Sequence, residues 1–143
     1  MKKYILLLIV PFLGFGQTKE SFLPICNIDM KTDFSGDNVS MSIPELKLSR
    51  GLYVSKHPQS LEDASFNIIE YSVSYIDKFG HERLIAGVKG NKFNEDRIVA
   101  LFHALKSGEK ILFYNIKAQK YIKGTLQADL ISLKNITITI KEN

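Results

Sequence analysis

The sequence predicts a mainly β domain with one short α-helix, and three observations support this prediction. Apolar and polar residues alternate along several segments, which is the pattern of strands that bury one face. One segment instead places its apolar residues at helical spacing. The chain has 143 residues, of which 45% are hydrophobic, so it can bury one core but is too short for a large multidomain enzyme.

The first 16 residues predict a signal peptide. Two lysines precede an apolar run over 4–13, which is too short to cross a bilayer as a helix. Gly14 and Gly16 are the small residues that signal peptidase requires, so we expect cleavage between Gly16 and Gln17. The protein is therefore expected to be exported, either to the periplasm or out of the cell. An N-terminal anchor that is not cleaved is the alternative.

The only cysteine is Cys26, which cannot form a disulfide within the chain. Apolar neighbours, Leu23 and Ile25 among them, favour a buried and unreactive thiol, whereas a reactive thiol and a bridge between chains are the alternatives. Cys26 also follows the leader as the cysteine of a lipoprotein does, but the bulky Ile25 before it does not suit a lipoprotein peptidase. We therefore expect membrane contact only through a partner.

The charges do not favour a nucleic-acid partner. The whole chain has a net charge of +4, and removal of the leader with Lys2 and Lys3 leaves 17 basic against 15 acidic side chains. These charges are spread along the chain, without the basic clusters and aromatic side chains that single-strand binders combine. We therefore expect no nucleic acid among the partners.

After the leader, the sequence predicts an extended N-terminal arm over 17–37 and a single domain over 38–143. The arm has no sustained periodicity and is a candidate for an additional edge strand. Residues 38–43 alternate, with the odd-numbered residues on the buried face, until Pro44 ends this half-buried strand. The alternation then resumes over 46–50, which we interpret as further extended chain.

The strongest predicted strand spans 66–77. Its odd-numbered residues from Ile69 to Tyr75 share one face, and the adjacent pair Ile68–Ile69 indicates a bulge. Asp77–Gly80 is typical of a hairpin turn, with a glycine at the position that needs positive φ. Residues 83–88 then form the antiparallel partner strand.

One amphipathic helix is predicted over about residues 95–107. Asn94 is the expected N-cap, and Lys106 and Gly108 are the expected end of the helix. Its apolar stripe has spacings of three and four residues. The stripe consists of Ile98, Leu101, Phe102 and Leu105.

Further strands are predicted on either side of this helix. A short strand over 52–54 precedes a turn over 57–60, and a strand over 110–118 is apolar on both faces and therefore central. The last strand spans 133–140. Half a dozen or more strands with one helix favour a single immunoglobulin-like β-sandwich domain.

Three segments in this order resemble the C-terminal domain of the GldM family of gliding-motility and type IX secretion proteins of Bacteroidota. They are Gly51–Lys56, Phe66–Ile76 and the helix-then-strand pattern over 98–118, followed by the terminal strand at 133–140. The resemblance covers about residues 46–140. The same domain occurs at the end of BlaR-like envelope metallopeptidases.

One departure from the family lies at 119–124, where only Gly124 of the usual Pro-Asp-Gly-like turn is present. The sequence also shows neither the transmembrane helix nor the helical stalk of full-length GldM proteins. The resemblance therefore implies a freestanding envelope binding module, and it brings no catalytic residues.

We expect no catalytic, cofactor or metal site. The three histidines, His57, His81 and His103, do not have the spacing of zinc ligands. The sequence also lacks the Gly-x-Ser-x-Gly motif of a nucleophile elbow. Gly87–Gly90 resembles a phosphate-binding loop only superficially, because no glycine-lysine-serine opens a helix there. A small hydrolase therefore ranks third, behind the two binding hypotheses that follow.

The first hypothesis is a non-enzymatic module that binds another envelope protein through a sheet edge or face. The candidate partner-binding residues are Asn38, Ser40 and Ser42 on the predicted edge strand, together with Tyr121 in a predicted loop. The second hypothesis is a carrier or sensor that binds a small apolar or glycan ligand between the sheets.

Overall fold

A computed structural model describes residues 23–31 and 34–143 of the chain. The predicted signal peptide, its cleavage between Gly16 and Gln17, and the first residues of the N-terminal arm lie outside the described residues. The described residues form eight strands and two helices, numbered here in chain order. They are β1 (Ile25–Ile28), β2 (Val39–Ser42), α1 (Ile43–Leu48), β3 (Leu52–Ser55), β4 (Ala64–Ile76), β5 (Glu82–Lys89), α2 (Asp96–Ala104), β6 (Lys110–Ile122), β7 (Thr125–Ser132) and β8 (Ile136–Lys141).

The strands form two sheets, which confirms the prediction of a mainly β chain and is consistent with a β-sandwich. The larger sheet has the order β2-β8-β6-β4-β5, and β7 lies beside the second half of β6. The pair β2–β8 is parallel, whereas every other described pair is antiparallel. The smaller sheet consists of β1 and β3, so part of the predicted arm does form a strand.

The hairpin of β4 and β5 confirms the strongest sequence prediction. Tyr71 pairs with Val88, as the alternation of both segments requires. The Gly80 N–H donates to Asp77 O at 3.0 Å, and Gly80 has a φ of 86°, which favours glycine. The Asp77 carboxylate accepts the His81 and Phe79 N–H groups, and these hydrogen bonds lower the pKa of Asp77. The turn is therefore fixed by local hydrogen bonds.

Bulges change which residues face the core along the two central strands. The register between β4 and β6 shifts between Ile68 and Glu70, which confirms the bulge predicted at Ile68–Ile69. In β6, Asn115 has a φ of 48° and the alternation changes phase there. Buried residues are consequently odd-numbered before Asn115 and even-numbered after it.

The observed helix α2 is shorter than the predicted 95–107. Its N-cap is Glu95 and not Asn94, since Glu95 has extended backbone angles (φ −74°, ψ 136°) and makes no side-chain capping bond. The helix ends because Leu105 is again extended (ψ 145°). Gly108 lies beyond this end, in the turn before β6, where its N–H donates to Ile140 O at 2.8 Å. The predicted apolar stripe is confirmed, since all four of its residues are buried.

The prediction of a single helix was wrong, because α1 replaces the extended chain expected after Ile43. Ser42 and Glu45 form a capping box: the Glu45 N–H donates to Ser42 Oγ at 3.4 Å and the Ser42 N–H donates to Glu45 Oε2 at 2.8 Å. Pro44 stands in the first turn of the helix, where its missing N–H costs no hydrogen bond. Proline thus begins a helix here rather than merely ending a strand.

The loop expected at 119–124 is also absent. Strand β6 continues to Ile122 and turns directly into β7 through Lys123 and Gly124, whose φ values are 48° and 79°. Two consecutive residues at positive φ are typical of a tight hairpin turn. The structure therefore places Tyr121 in a strand and adds β7, a strand that no pattern in the sequence predicted.

The core lies between the larger sheet and a layer made of α1, α2 and the β1–β3 sheet. Four aromatic rings occupy its centre: Phe93 stacks on Phe113 with centroids 5.1 Å apart and meets Phe102 edge-on at 5.5 Å. Tyr71 packs edge-on against both Phe93 and Phe113. The Tyr71 hydroxyl donates to Lys92 O at 2.6 Å, so its buried polar atom is paired. Both helices therefore help to close the core.

Candidate functional site

Strand β2, which carries Ser40 and Ser42 and directly follows Asn38, lies at one end of the larger sheet. Within residues 23–31 and 34–143 it pairs with β8 alone, in a register that aligns Ser40 with Thr139. Val39 and Met41 point into the core and are buried, whereas Ser40 is exposed. The alternation predicted for 38–43 is thus confirmed as far as Ser42.

The backbone of Ser40 faces the open side of β2. The backbone of Ile140 faces β6, because its N–H donates to Glu109 O (2.9 Å) and its C=O accepts from Gly108 N–H (2.8 Å). Backbone groups alternate in direction along a strand, so those of Thr139 face β2. In the observed parallel register, the backbone hydrogen bonds of Thr139 run to Val39 and Met41, the residues on either side of Ser40. The Ser40 N–H and C=O therefore point away from β8.

Ser42 has a different role from the one predicted for it. Both its hydroxyl and its N–H are used in the capping box with Glu45. The hydrogen bond from the Ser42 N–H is the main cause that lowers the pKa of Glu45, with smaller effects from the Ser42 hydroxyl and Lys141. Ser42 thus begins α1, and the Ser-x-x-Glu pattern in the sequence was the signal that could have identified it.

The structure does not bring Tyr121 to the same place as Asn38. Asn38 is exposed and directly precedes β2, whereas Tyr121 is half-buried near the end of β6, between Ser65 on β4 and Leu126 on β7. Strand β8 pairs with β6 only as far as Phe113, and eight residues of strand from there to Tyr121 span about 26 Å. Asn38 and Ser40 therefore define the candidate edge, and Tyr121 lies away from it.

The histidines occupy separate parts of the fold. His57 lies in the loop after β3, His81 at the tip of the β4–β5 hairpin and His103 on α2. The His81 imidazole is 3.1 Å from an Asp77 carboxylate oxygen at the surface. Across the part of the chain that the structure describes, no three His, Cys, Asp or Glu side chains are placed to hold a metal ion together.

Cys26 lies in β1 opposite Val54, with 5% of its surface exposed. Burial raises the pKa of its thiol to about 12. A thiol with so little thiolate at neutral pH is a poor nucleophile. These properties agree with the buried, unreactive cysteine that the sequence predicted.

Two surface pockets adjoin the start of β1. The first, of about 360 Å³, is lined by Leu23, Cys26, His57 and Leu133 among others. The second, of about 570 Å³, shares Leu23 and His57 with it and extends toward Phe66 on β4. Both volumes are within the usual range for small-ligand sites. A third pocket, of about 260 Å³, lies where the two sheets meet at β3 and β4.

Neither described helix resembles a membrane span. Among the described residues, no helix has both the length and the apolar composition that crossing a bilayer requires.

Comparison with known proteins adds no relative to these observations. A scan against protein-family models found no family that matches the chain, and a search of curated proteins found no match.

Proposed function

We propose that this chain is an exported, non-enzymatic envelope protein that binds another envelope protein through the open edge of β2. The resemblance to the GldM C-terminal domain further suggests a link to gliding, to type IX secretion or to envelope sensing. We include in this proposal the immunoglobulin-like class of β-sandwich, which the number and spacing of the strands in the sequence favour. The partner would add an extended segment beside β2 and continue the larger sheet.

The outward direction of the Ser40 backbone is the observation that supports this proposal. Val39 and Met41 are fixed by their burial and by their pairing with β8, so the Ser40 N–H and C=O are held in place, with no hydrogen-bond partner among the described residues. An edge donor and acceptor that are already oriented reduce the entropy lost when a second strand pairs with them. The exposed Ser40 side chain leaves room for this strand.

A pair of variants at Ser40 tests the proposed edge. Ser40→Pro removes the outward N–H but none of the hydrogen bonds to β8, so the domain should fold while partner capture from the native envelope falls at least about tenfold. Ser40→Ala keeps the N–H and should retain capture. Circular dichroism establishes that both variants are folded. Equal capture by the two variants contradicts binding through this edge.

Replacement of all three histidines tests the absence of catalysis or metal binding. Their replacement removes every imidazole of the chain, and partner binding should be almost unchanged between about pH 6 and 8. Loss of binding in this variant, with binding retained in Ser40→Pro, would instead support a metal-dependent or catalytic role for the histidines.

N-terminal sequencing and intact mass measurement of the exported protein test its localisation. We expect a chain that begins at Gln17, because Gly14 and Gly16 fit the two pockets of signal peptidase. A chain that begins at Cys26 and carries the mass of a lipid would show an anchored lipoprotein instead.

The pockets beside β1 support a second candidate function, a carrier or sensor for a small apolar or glycan ligand. They adjoin one another and include the exposed apolar side chain of Leu23 next to the buried Cys26. Native mass spectrometry of protein purified from its own envelope distinguishes the candidates. A retained small molecule supports the carrier, and a second polypeptide chain supports the interaction module.

A further inference from the structure

The opposite end of the larger sheet, at β5, offers a longer edge than β2. Strand β5 has eight residues, and among the described strands it pairs with β4 alone. Its Ala86 and Val88 side chains are buried toward the core. The side chains on the other face of the strand are exposed. They belong to Glu82, Leu84 and Lys89, and Gly87 is exposed on the same face.

In the second half of β5, the backbone groups of Gly87 and Lys89 point away from β4. The Gly90 N–H donates to Ile69 O at 2.7 Å, directly after the strand. Residues of an antiparallel ladder alternate between bonding to their neighbour and facing away from it. Since Gly90 and Val88 bond to β4, Gly87 and Lys89 face the open side.

In the first half of β5, the backbone groups of Glu82 and Leu84 face the open side. The Asp77 N–H donates to His81 O at 3.0 Å at the hairpin end. By the same alternation, the backbone groups of Arg83 bond to β4, and the backbone groups of Glu82 and Leu84 face the open side.

A bulge at Ile85 separates the two halves. Val73 pairs with Ala86 and Ser74 pairs with Leu84, so Ile85 is an extra residue on β5. The outward positions are consequently even-numbered before the bulge and odd-numbered after it. The Ile85 O accepts a long hydrogen bond of 3.4 Å from Arg97 Nη1, whose exposed side chain would have to move aside when another strand pairs with β5 at the bulge.

From this geometry we infer that a second copy of the chain pairs with β5 in antiparallel orientation, about a twofold axis at the bulge. This register places Glu82 opposite Lys89 of the second copy, and Leu84 opposite Gly87 of the second copy. This register opposes even-numbered residues to odd-numbered ones. In a strand without the bulge, one residue of each opposed pair would direct its backbone N–H and C=O toward β4 and the other toward the open side, so the pair could not form hydrogen bonds. With the bulge, every outward N–H and C=O meets another outward group.

The side chains in this register are complementary in charge and size. Glu82 and Lys89 have opposite charges. Lys89 already pairs with Glu70 on β4, and its largely exposed side chain would also meet Glu82 of the second copy on each side of the axis. Leu84 is 62% exposed, and it would cover Gly87 of the second copy. No atom lies within 4 Å of the position that a Cβ on Gly87 would occupy, so there is space for this leucine. Charge and shape therefore favour a second copy over an unrelated strand.

The resulting dimer should depend on protein concentration. Pairing over eight residues buries less surface than the roughly 1,200–2,000 Å² of a standard stable interface. The sheet edge at β2 stays open in this dimer, so it remains compatible with the proposed partner binding.

Two charge reversals test the inference when each is measured alone and in a mixture. Glu82→Lys places two lysines opposite each other, and Lys89→Glu places two glutamates opposite each other, so each variant alone should dimerise about tenfold more weakly than the original chain. In an equimolar mixture, Lys at 82 meets Glu at 89 in one pair, while the native residues form the other. The mixture should therefore dimerise as well as the original chain.

Sedimentation of the full chain over a range of concentrations measures these equilibria. Glu142→Lys and Lys47→Glu change the net charge by the same amounts at exposed positions off β5, and they should leave the dimer unchanged. A monomeric original chain at the highest concentration overturns the inference. Undiminished dimerisation of the single variants also overturns it, as does a mixture that stays monomeric while circular dichroism shows folded protein. The Ser40 variants report on the other edge, so the two proposals fail independently.

Discussion

The α-carbon of Gly51 lies against the backbone carbonyl of Asn91, where a methyl group on Gly51 would overlap the carbonyl oxygen. The Leu52 N–H donates to Asn91 O at 2.8 Å, and Asn91 Nδ2 donates to Leu52 O at 3.1 Å. Asp29 completes the contact, since its carboxylate accepts the Arg50 N–H at 2.8 Å. This contact joins the smaller sheet to the segment that follows β5.

Gly51→Ala should therefore lower the free energy of unfolding by about 1–3 kcal/mol, as expected for overpacking against a backbone that cannot move aside. Urea denaturation measures the change. Gly87→Ala is the matched control, because its Cβ meets no atom within 4 Å and should alter stability little. Similar stabilities of the two variants would show that the close approach at Gly51 is relaxed in solution.

Phe102→Ala should destabilise the domain by about 3–5 kcal/mol, because it removes the ring that connects α2 to Phe93 in the core. Phe102 is 4% exposed and its ring centroid lies 5.5 Å from that of Phe93. Val99→Ala on the same helix is the control, since Val99 is 40% exposed and its loss should cost no more than about 0.5 kcal/mol. Thermal melts of both variants decide whether α2 is docked as described.

The capping box predicts an acid-dependent loss of stability. The Ser42 N–H lowers the pKa of Glu45 below its unfolded value, so this contribution is complete above the unfolded pKa of about 4.3. It should be lost as the pH falls through the folded pKa. Glu45→Gln retains an acceptor for the Ser42 N–H but cannot titrate, so its melting temperature should fall less between about pH 5 and 3 than that of the original chain. The control Glu142→Gln changes an exposed carboxylate outside the capping box, so its melting temperature should fall between these pH values by as much as that of the original chain.

Cys26 should react much more slowly in the folded chain than in the unfolded chain. A rise of its pKa from the ordinary thiol range to about 12 lowers the thiolate fraction near pH 8 roughly a thousandfold, and burial adds a steric barrier. The rate of modification by a disulfide reagent, measured with and without denaturant, tests this. A folded thiol that reacts as fast as the unfolded one would place Cys26 at the surface.

The elements that the sequence predicted correctly are those with local causes. The hairpin of β4 and β5 follows from alternation on both sides of Asp77–Gly80, and the buried face of α2 follows from its apolar spacing. The capping box at Ser42–Glu45 is equally local, but the period-two spacing of Leu46 and Leu48 after Pro44 favoured extended chain instead. Strand β7 was missed because the segment is mostly exposed and has no clear alternation of apolar and polar residues.

The sequence by itself determined that this chain is mainly β, with its strongest strand at 66–77 and a central strand at 110–118, because residue spacing along one segment decides which faces are apolar. Only the tertiary structure decided which strands lie at the edges, since pairing joins β2 to β8 from distant parts of the chain. It also decided that Tyr121 lies far from Ser40. The close approach of Gly51 to Asn91 and the outward direction of the β5 backbone depend on such long-range pairing, which no local pattern specifies.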